Sequence, residues 1–129
     1  ESYVLVVDDD PAIRGLVADA LRDEGYLVDL AAHGREALEA MRARRPATVV
    51  LDLMMPIMDG LSFIKACQSE QLCDNVPIVV ISAMQDAVQR VHEMPVQAYV
   101  AKPFDLHDLI QTVVLHAGRN GATANGHVV

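Results

Sequence analysis

Short blocks rich in Val, Ile and Leu recur along the chain, and each ends on a side chain with chemistry to offer. Val4-Leu5-Val6-Val7 runs into Asp8 and Asp9, and Thr48-Val49-Val50-Leu51 runs into Asp52. Ile78-Val79-Val80-Ile81 runs into Ser82, and Ala98-Tyr99-Val100-Ala101 runs into Lys102. Apolar runs of this length predict strands buried on both faces, the mark of a parallel sheet covered by helices. In such sheets ligands bind just beyond the carboxyl ends of the strands. The pattern therefore predicts three carboxylates, a hydroxyl and an ammonium gathered at one edge.

Between these runs the spacing turns helical. Ile13, Leu16, Val17, Ala20 and Leu21 fall on one helix face, with Asp10 as N-cap, Pro11 in the first turn and Gly25 as the stop. Tyr26 to Ala31 alternates weakly and predicts an edge strand. Gly34 to Arg45 predicts a helix through Ala37, Leu38 and Met41, closed by Pro46. Leu61, Ile64, Lys65 and Leu72 predict the next, opened by Asp59-Gly60. A short helix over about Gln85 to Glu93 is stopped by Pro95. The last helix is capped by Asp105 and buries Leu106, Leu109, Ile110, Val113 and Val114. Five βα units in succession make an α/β chain with an open five-stranded parallel sheet between helices. Residues Gly118 to Val129, rich in Gly, Asn and Ala and without periodicity, read as a flexible linker stub or terminus.

Composition narrows the function. A chain of 129 residues with 52% hydrophobic positions is one domain with a real core. A net charge of -8 speaks against direct binding of nucleic acid, whose phosphates select Lys- and Arg-rich surfaces. No apolar stretch nears the roughly 18 residues that span a bilayer, and no signal peptide opens the chain at Glu1. The expected location is cytoplasmic. Cys67 and Cys73 suit no zinc spacing and read as two reduced thiols packed as small hydrophobes. The five histidines are scattered without ligand spacing.

The acidic residues carry the chemistry. Two carboxylates about 4 Å apart repel by roughly 4 kcal/mol at an effective dielectric near 20. Asp8, Asp9 and Asp52 therefore cannot all stay ionised at one edge without compensation: either their pKa values rise or a cation binds. Lys102 supplies one positive charge and a hard divalent ion the rest. Mg2+ favours one or two carboxylates, retained waters and a substrate phosphate, so an acidic pocket rimmed by a Lys and a hydroxyl suits phosphoryl chemistry. Asp10 is assigned to capping.

Four blocks then acquire a common meaning: Val6-Val7-Asp8-Asp9, the run from Leu51 through Asp52 and Pro56 to Gly60, Ile81-Ser82-Ala83, and Tyr99-Val100-Ala101-Lys102-Pro103-Phe104. Together they closely resemble the receiver domain of two-component response regulators, the phosphoacceptor domain best known from the bacterial chemotaxis regulator. The match runs from about Tyr3 to Ala117, which implies a receiver domain over residues 1–117 followed by a tail over 118–129. The resemblance implies a flavodoxin-like, doubly wound (βα)5 sheet of order 2-1-3-4-5. It implies that Asp52 takes a phosphoryl group from a partner's phosphohistidine. Asp9, Asp52 and the Met54 carbonyl would coordinate Mg2+, with Asp8 acting mostly through a bound water. Lys102 and Ser82 would each hold a phosphoryl oxygen, Ser82 and Tyr99 would form the switch, and the Lys102-Pro103 peptide would be cis. Met54 and Met84 occupy the positions that tune hydrolysis; both are apolar and cannot orient water, so slow self-dephosphorylation is expected.

The partners so implied are a sensor histidine kinase or histidine phosphotransfer protein, and an output domain or effector reached through the last helix-strand-helix face. A phosphorylation-dependent homodimer belongs to the same expectation, whereas direct nucleic-acid and membrane contacts do not. Ser82 and Tyr99 are closer in sequence than the family pattern has them, and Pro95 replaces a Gly-Ala turn. The intervening helix is thus expected to be short or distorted, and the output face to depart from the standard one. The chain is not expected to be a turnover enzyme. Two competing readings exist. A haloacid-dehalogenase-like phosphatase would use Asp8 and Asp10 as a D-x-D, but would leave Asp52 without a role and has no room for a cap domain. A flavodoxin-like binding module lacks a phosphate-cradling loop after the first strand.

Overall fold

The computed structural model describes residues 2–55, 57–83 and 94–117. The short helix expected over about Gln85 to Glu93, together with Met84, Pro56 and the tail from Gly118, lies outside these residues. Within them the chain runs β1 (Val4–Val7), α1 (Pro11–Asp23), β2 (Val28–Ala31), α2 (Gly34–Ala43), β3 (Thr48–Asp52), α3 (Gly60–Ser69), β4 (Ile78–Ser82), β5 (Ala98–Ala101) and α4 (Leu106–Ala117). The five strands are all parallel and ordered β2-β1-β3-β4-β5. This is the doubly wound arrangement, with its reversal of strand order at β1 and β3.

Alternation along the buried strands builds two cores. Leu5, Val7, Val49, Leu51, Ile78 and Val80 point to one side, where Leu38 and Met41 of α2 and Phe63, Ile64 and Cys67 of α3 cover them. Val4, Val6, Val50, Val79 and Ile81 point to the other, against Val17 and Leu21 of α1 and Leu109, Ile110 and Val113 of α4. Each face is sealed by a helix pair, so β1, β3 and β4 are buried throughout and could only be apolar. The outer strand β2 buries only its end residues, which explains its weak pattern.

Helix limits follow from local chemistry. Asp10 Oδ1 accepts the N–H groups of Ala12 (2.9 Å) and Ile13 (3.4 Å), as an N-cap should. At the other end of α1, Gly25 adopts φ 97°; its N–H bonds the Arg22 carbonyl and the Tyr26 N–H bonds the Leu21 carbonyl. These paired bonds are a Schellman motif, which needs a left-handed residue at Gly25. Asp59 and Asp105 cap α3 and α4 through bonds to Ser62 N (2.8 Å) and Asp108 N (3.2 Å).

Several expectations are corrected. Leu16 is half exposed and Ala18 takes the buried position on α1. Tyr26 is committed to ending α1, so β2 starts at Val28. α2 stops at Ala43 because Arg44 turns extended two residues before Pro46, which frees its carbonyl for the Tyr3 hydroxyl at 2.7 Å. α3 buries Phe63, Ile64 and Cys67 while Lys65 is exposed, and it ends at Ser69, leaving Leu72 in the turn beyond.

Candidate functional site

The strand registers decide which side chains meet. Val7 lies beside Leu51, Asp52 beside Ile81 and Ser82 beside Ala101, so β1, β3, β4 and β5 all reach the same edge together. Asp8 follows β1, Asp52 closes β3, Ser82 closes β4 and Lys102 follows β5. The expected convergence of distant side chains is thus present in space. Carboxylate oxygens of Asp8, Asp9 and Asp52 lie within 4.8 Å of one another. Asp8, Asp52 and Ser82 are buried and Asp9 is exposed.

Lys102 closes the cluster from above β5. Its Nζ stands 3.3 Å from Asp8 Oδ2 and 3.3 Å from Asp52 Oδ2. The other oxygens of these two acids are held by backbone: Asp8 Oδ1 accepts from Asp10 N at 2.9 Å, and Asp52 Oδ1 accepts from Met54 N at 3.1 Å. Burial raises the Asp52 pKa above its ordinary value and the Asp8 charge adds to this, against the opposing pull of the Met54 N–H and Lys102. For Lys102, burial pushes its pKa down, but the charges of Asp52 and Asp8 and their hydrogen bonds outweigh it, and the net direction is up. The ammonium is therefore held charged between two acids.

Three details were not legible in the sequence. Arg14 donates from Nη1 to the Asp8 carbonyl at 2.8 Å, tying α1 to the end of β1. Gly60 donates to the Leu53 carbonyl at 3.0 Å, and a Cβ there would stand 2.7 Å from Leu53 Cα and 3.0 Å from the Asp52 carbonyl oxygen. Only glycine lets α3 start so close to the site. Ile57, in the same β3–α3 loop, has φ 67°, an unfavourable conformation for a β-branched residue. The turn signal Asp59-Gly60 hinted at the second of these; nothing in sequence hinted at the other two.

The remaining expected site residues are placed as follows. Met54 is exposed on the loop after β3. Tyr99 is half-buried on β5, and its hydroxyl donates to the Ser82 carbonyl at 3.4 Å. The Lys102-Pro103 peptide is cis. Met84 lies outside the described residues. Asp10 is occupied as a helix cap, which leaves the D-x-D reading without a second free carboxylate.

A parallel 2-1-3-4-5 sheet with three acids, a serine and a lysine at its carboxyl edge defines the receiver class of signalling domains. The family model described as response regulator receiver domain matches residues 4–114, and the chain belongs to that family. It is 42% identical over 109 residues to response regulator MprA of Mycolicibacterium vanbaalenii, covering 83% of this chain and 46% of that protein. MprA of Mycobacterium bovis is 40% identical over 109 residues, with 83% and 46% coverage. The chain thus spans less than half the length of these relatives. Among solved structures it is similar to the receiver domain of the Francisella response regulator 1452, with TM-score 0.82, 28% identity, and 93% and 99% of the two chains covered. It is also similar to chemotaxis protein CheY4 of Vibrio cholerae, with TM-score 0.81, 32% identity, and 89% and 98% covered. Among the described residues, no helix is long and apolar enough to cross a membrane.

Proposed function

We propose that Asp52 is the phosphoacceptor, taking a phosphoryl group from a phosphohistidine on a kinase or phosphotransfer partner. The observation that carries this reading is the single ammonium shared at 3.3 Å between Asp8 and Asp52, within an acid cluster whose oxygens lie inside 4.8 Å. Among the described residues, Lys102 is the cation paired with these carboxylates, which leaves three acids short of positive charge, and an all-oxygen donor set suits a hard divalent ion. Asp9, Asp52 and the Met54 carbonyl would hold Mg2+, with Asp8 linked through water. When bound, the ion supplies charge neutralisation for the phosphoryl oxygens.

The protein's own groups do the rest. An Asp52 oxygen attacks phosphorus, the bond from phosphorus to the imidazole nitrogen breaks, and the electron pair stays on that nitrogen. Lys102 exchanges its contact with Asp52 for one with a phosphoryl oxygen, and the Ser82 hydroxyl donates to another. Removing Ser82's side chain from its earlier surroundings opens space beside Tyr99, whose change of position is the signal to an output domain or effector. The face formed with the last strand and helix is also where a phosphorylation-dependent homodimer would form. Met54, apolar beside the acceptor, has no group to orient an attacking water, which favours slow loss of the phosphoryl group. The receiver unit spans residues 1–117, and residues 118–129 lie beyond it as a tail or linker stub. The setting is cytoplasmic.

Exposure to acetyl phosphate and Mg2+, followed by intact mass, tests the reading. Wild type and Asp10→Ala gain one phosphoryl group and Asp52→Asn gains none. Labelling that survives Asp52→Asn and is lost in Asp8→Asn overturns the assignment and favours the D-x-D phosphatase.

A further inference from the structure

Beyond the end of α3, at the opposite pole of the sheet from the acid cluster, the chain sets a second cysteine against the core that holds the first. Gln71 adopts φ 59°; its N–H bonds the Gln68 carbonyl at 3.0 Å, and the Leu72 N–H bonds the Cys67 carbonyl at 2.8 Å. This is again a Schellman motif, and it folds the chain back over the last turn of its own helix. The next residue after that reversal is Cys73, which packs against the core cluster that holds Cys67, close enough to act on the Cys67 thiol. Cys67 is fully buried, with its Sγ 3.6 Å from Met41 Sδ on α2, whereas Cys73 is half-buried. Arg45 donates to the Gln71 carbonyl at 3.1 Å and the Asp74 carbonyl at 3.0 Å, placing a guanidinium on the turn that holds Cys73.

We propose that Cys67 and Cys73 form a reversible dithiol–disulfide site, in which Cys73 meets a hydroperoxide and Cys67 closes an intramolecular bond. The asymmetry of exposure assigns the roles. Cys73 sits in a turn with access to solvent, where an oxidant can reach it. Burial, then the neighbouring Cys73, pushes the Cys67 thiol upward, so it stays protonated and shielded from the oxidant. The Cys73 sulfur attacks one peroxide oxygen; the O–O bond breaks, and the departing oxygen takes the electron pair and the proton given up by the thiol. The Cys67 sulfur then attacks the resulting sulfenic sulfur, its proton leaves, and the S–O bond breaks to release water. Two thiols are oxidised to one disulfide and the peroxide is reduced. The inference goes beyond the phosphoacceptor reading and does not depend on it.

The test uses the full chain treated with hydrogen peroxide, then alkylated under denaturing conditions and analysed by intact mass and peptide mapping. Wild type is expected to lose both thiols together, to gain a Cys67–Cys73 cross-link, and to recover both with dithiothreitol. Cys73→Ser should leave Cys67 oxidised about tenfold more slowly or less. Cys67→Ser, nearly isosteric and checked for fold by circular dichroism, should trap Cys73 as a sulfenic acid captured by dimedone. Over-oxidised Cys73 beside a free Cys67 in wild type overturns the proposal. So do two unreacted thiols, a disulfide between chains, or unchanged Cys67 oxidation in Cys73→Ser.

Discussion

The Lys102 ammonium stands 3.3 Å from Asp52 Oδ2, across 50 positions of chain. It is also the bridge to Asp8, so the two acids share one counter-charge. With divalent ions chelated, Asp52→Asn is expected to be more stable than wild type by about 1 kcal/mol, because it removes one member of a repelling pair. Lys102→Ala should lose on the order of 2 kcal/mol or more, since the buried Asp8 and Asp52 carboxyl groups then lose the cation between them. Urea denaturation in a chelating buffer measures both, and an Asp52→Asn that unfolds earlier than wild type contradicts the account.

Two glycines should answer alanine with opposite signs. Gly60 has the Leu53 Cα 2.7 Å from where a Cβ would go, so Gly60→Ala must push the β3–α3 loop away from the site. A loss of about 1–3 kcal/mol is expected, with slower phosphoryl acceptance by Asp52. Gly15, inside α1, has nothing within 4 Å of such a Cβ. Gly15→Ala should gain about 0.5–1 kcal/mol, readable as a rise in Tm with labelling unchanged.

Tyr3 makes stability fall in alkali. Its hydroxyl donates to the Arg44 carbonyl at 2.7 Å and the Ala40 carbonyl at 3.3 Å, from a buried site. Burial, with Asp29 adding to it and Arg44 opposing, raises the phenol from 10.0 to about 12. The folded state thus favours the neutral phenol. Its contribution is complete below pH 10 and is lost as pH rises toward 12. The loss amounts to about 2–3 kcal/mol. Tyr3→Phe should be less stable at neutral pH and show a flatter alkaline limb. Equal slopes in the two proteins, from denaturation series across that range, would refute the assignment.

Met54 is exposed beside the proposed acceptor and brings no hydrogen-bonding side chain. Met54→Asn, alone and with Met84→Glu, should shorten the lifetime of the acyl phosphate, by about tenfold for the pair if a positioned water is what wild type lacks. Decay of the phosphorylated mass after removal of acetyl phosphate reads this directly; an unchanged lifetime rejects the role.

Much of this architecture could be read in advance, for reasons particular to it. β1, β3 and β4 are covered on both faces, so their sequences are forced to be apolar and their chemistry is forced to the ends. Asp10, Asp59 and Asp105 announce helix starts because capping is local. Helix faces were harder. Leu16 flanks the buried stripe of α1, and small Ala18 carries no hydrophobic signal strong enough to claim it. Strand order came from resemblance, because periodicity does not encode which strands are neighbours. The Arg14 bond to the Asp8 carbonyl was invisible, since nothing about an isolated arginine says which main-chain oxygen it will find.

Tyr99 grips residue 82 by its main-chain carbonyl, not by its side chain. That anchor is indifferent to which side chain stands there, so exchanging the serine for alanine or threonine leaves the tether intact. A Ser82 hydroxyl that swung toward a phosphoryl group, as proposed, would cut no bond to the tyrosine either. In the proposed switch, what would reach the aromatic ring is a change in the room beside it, a message in volume.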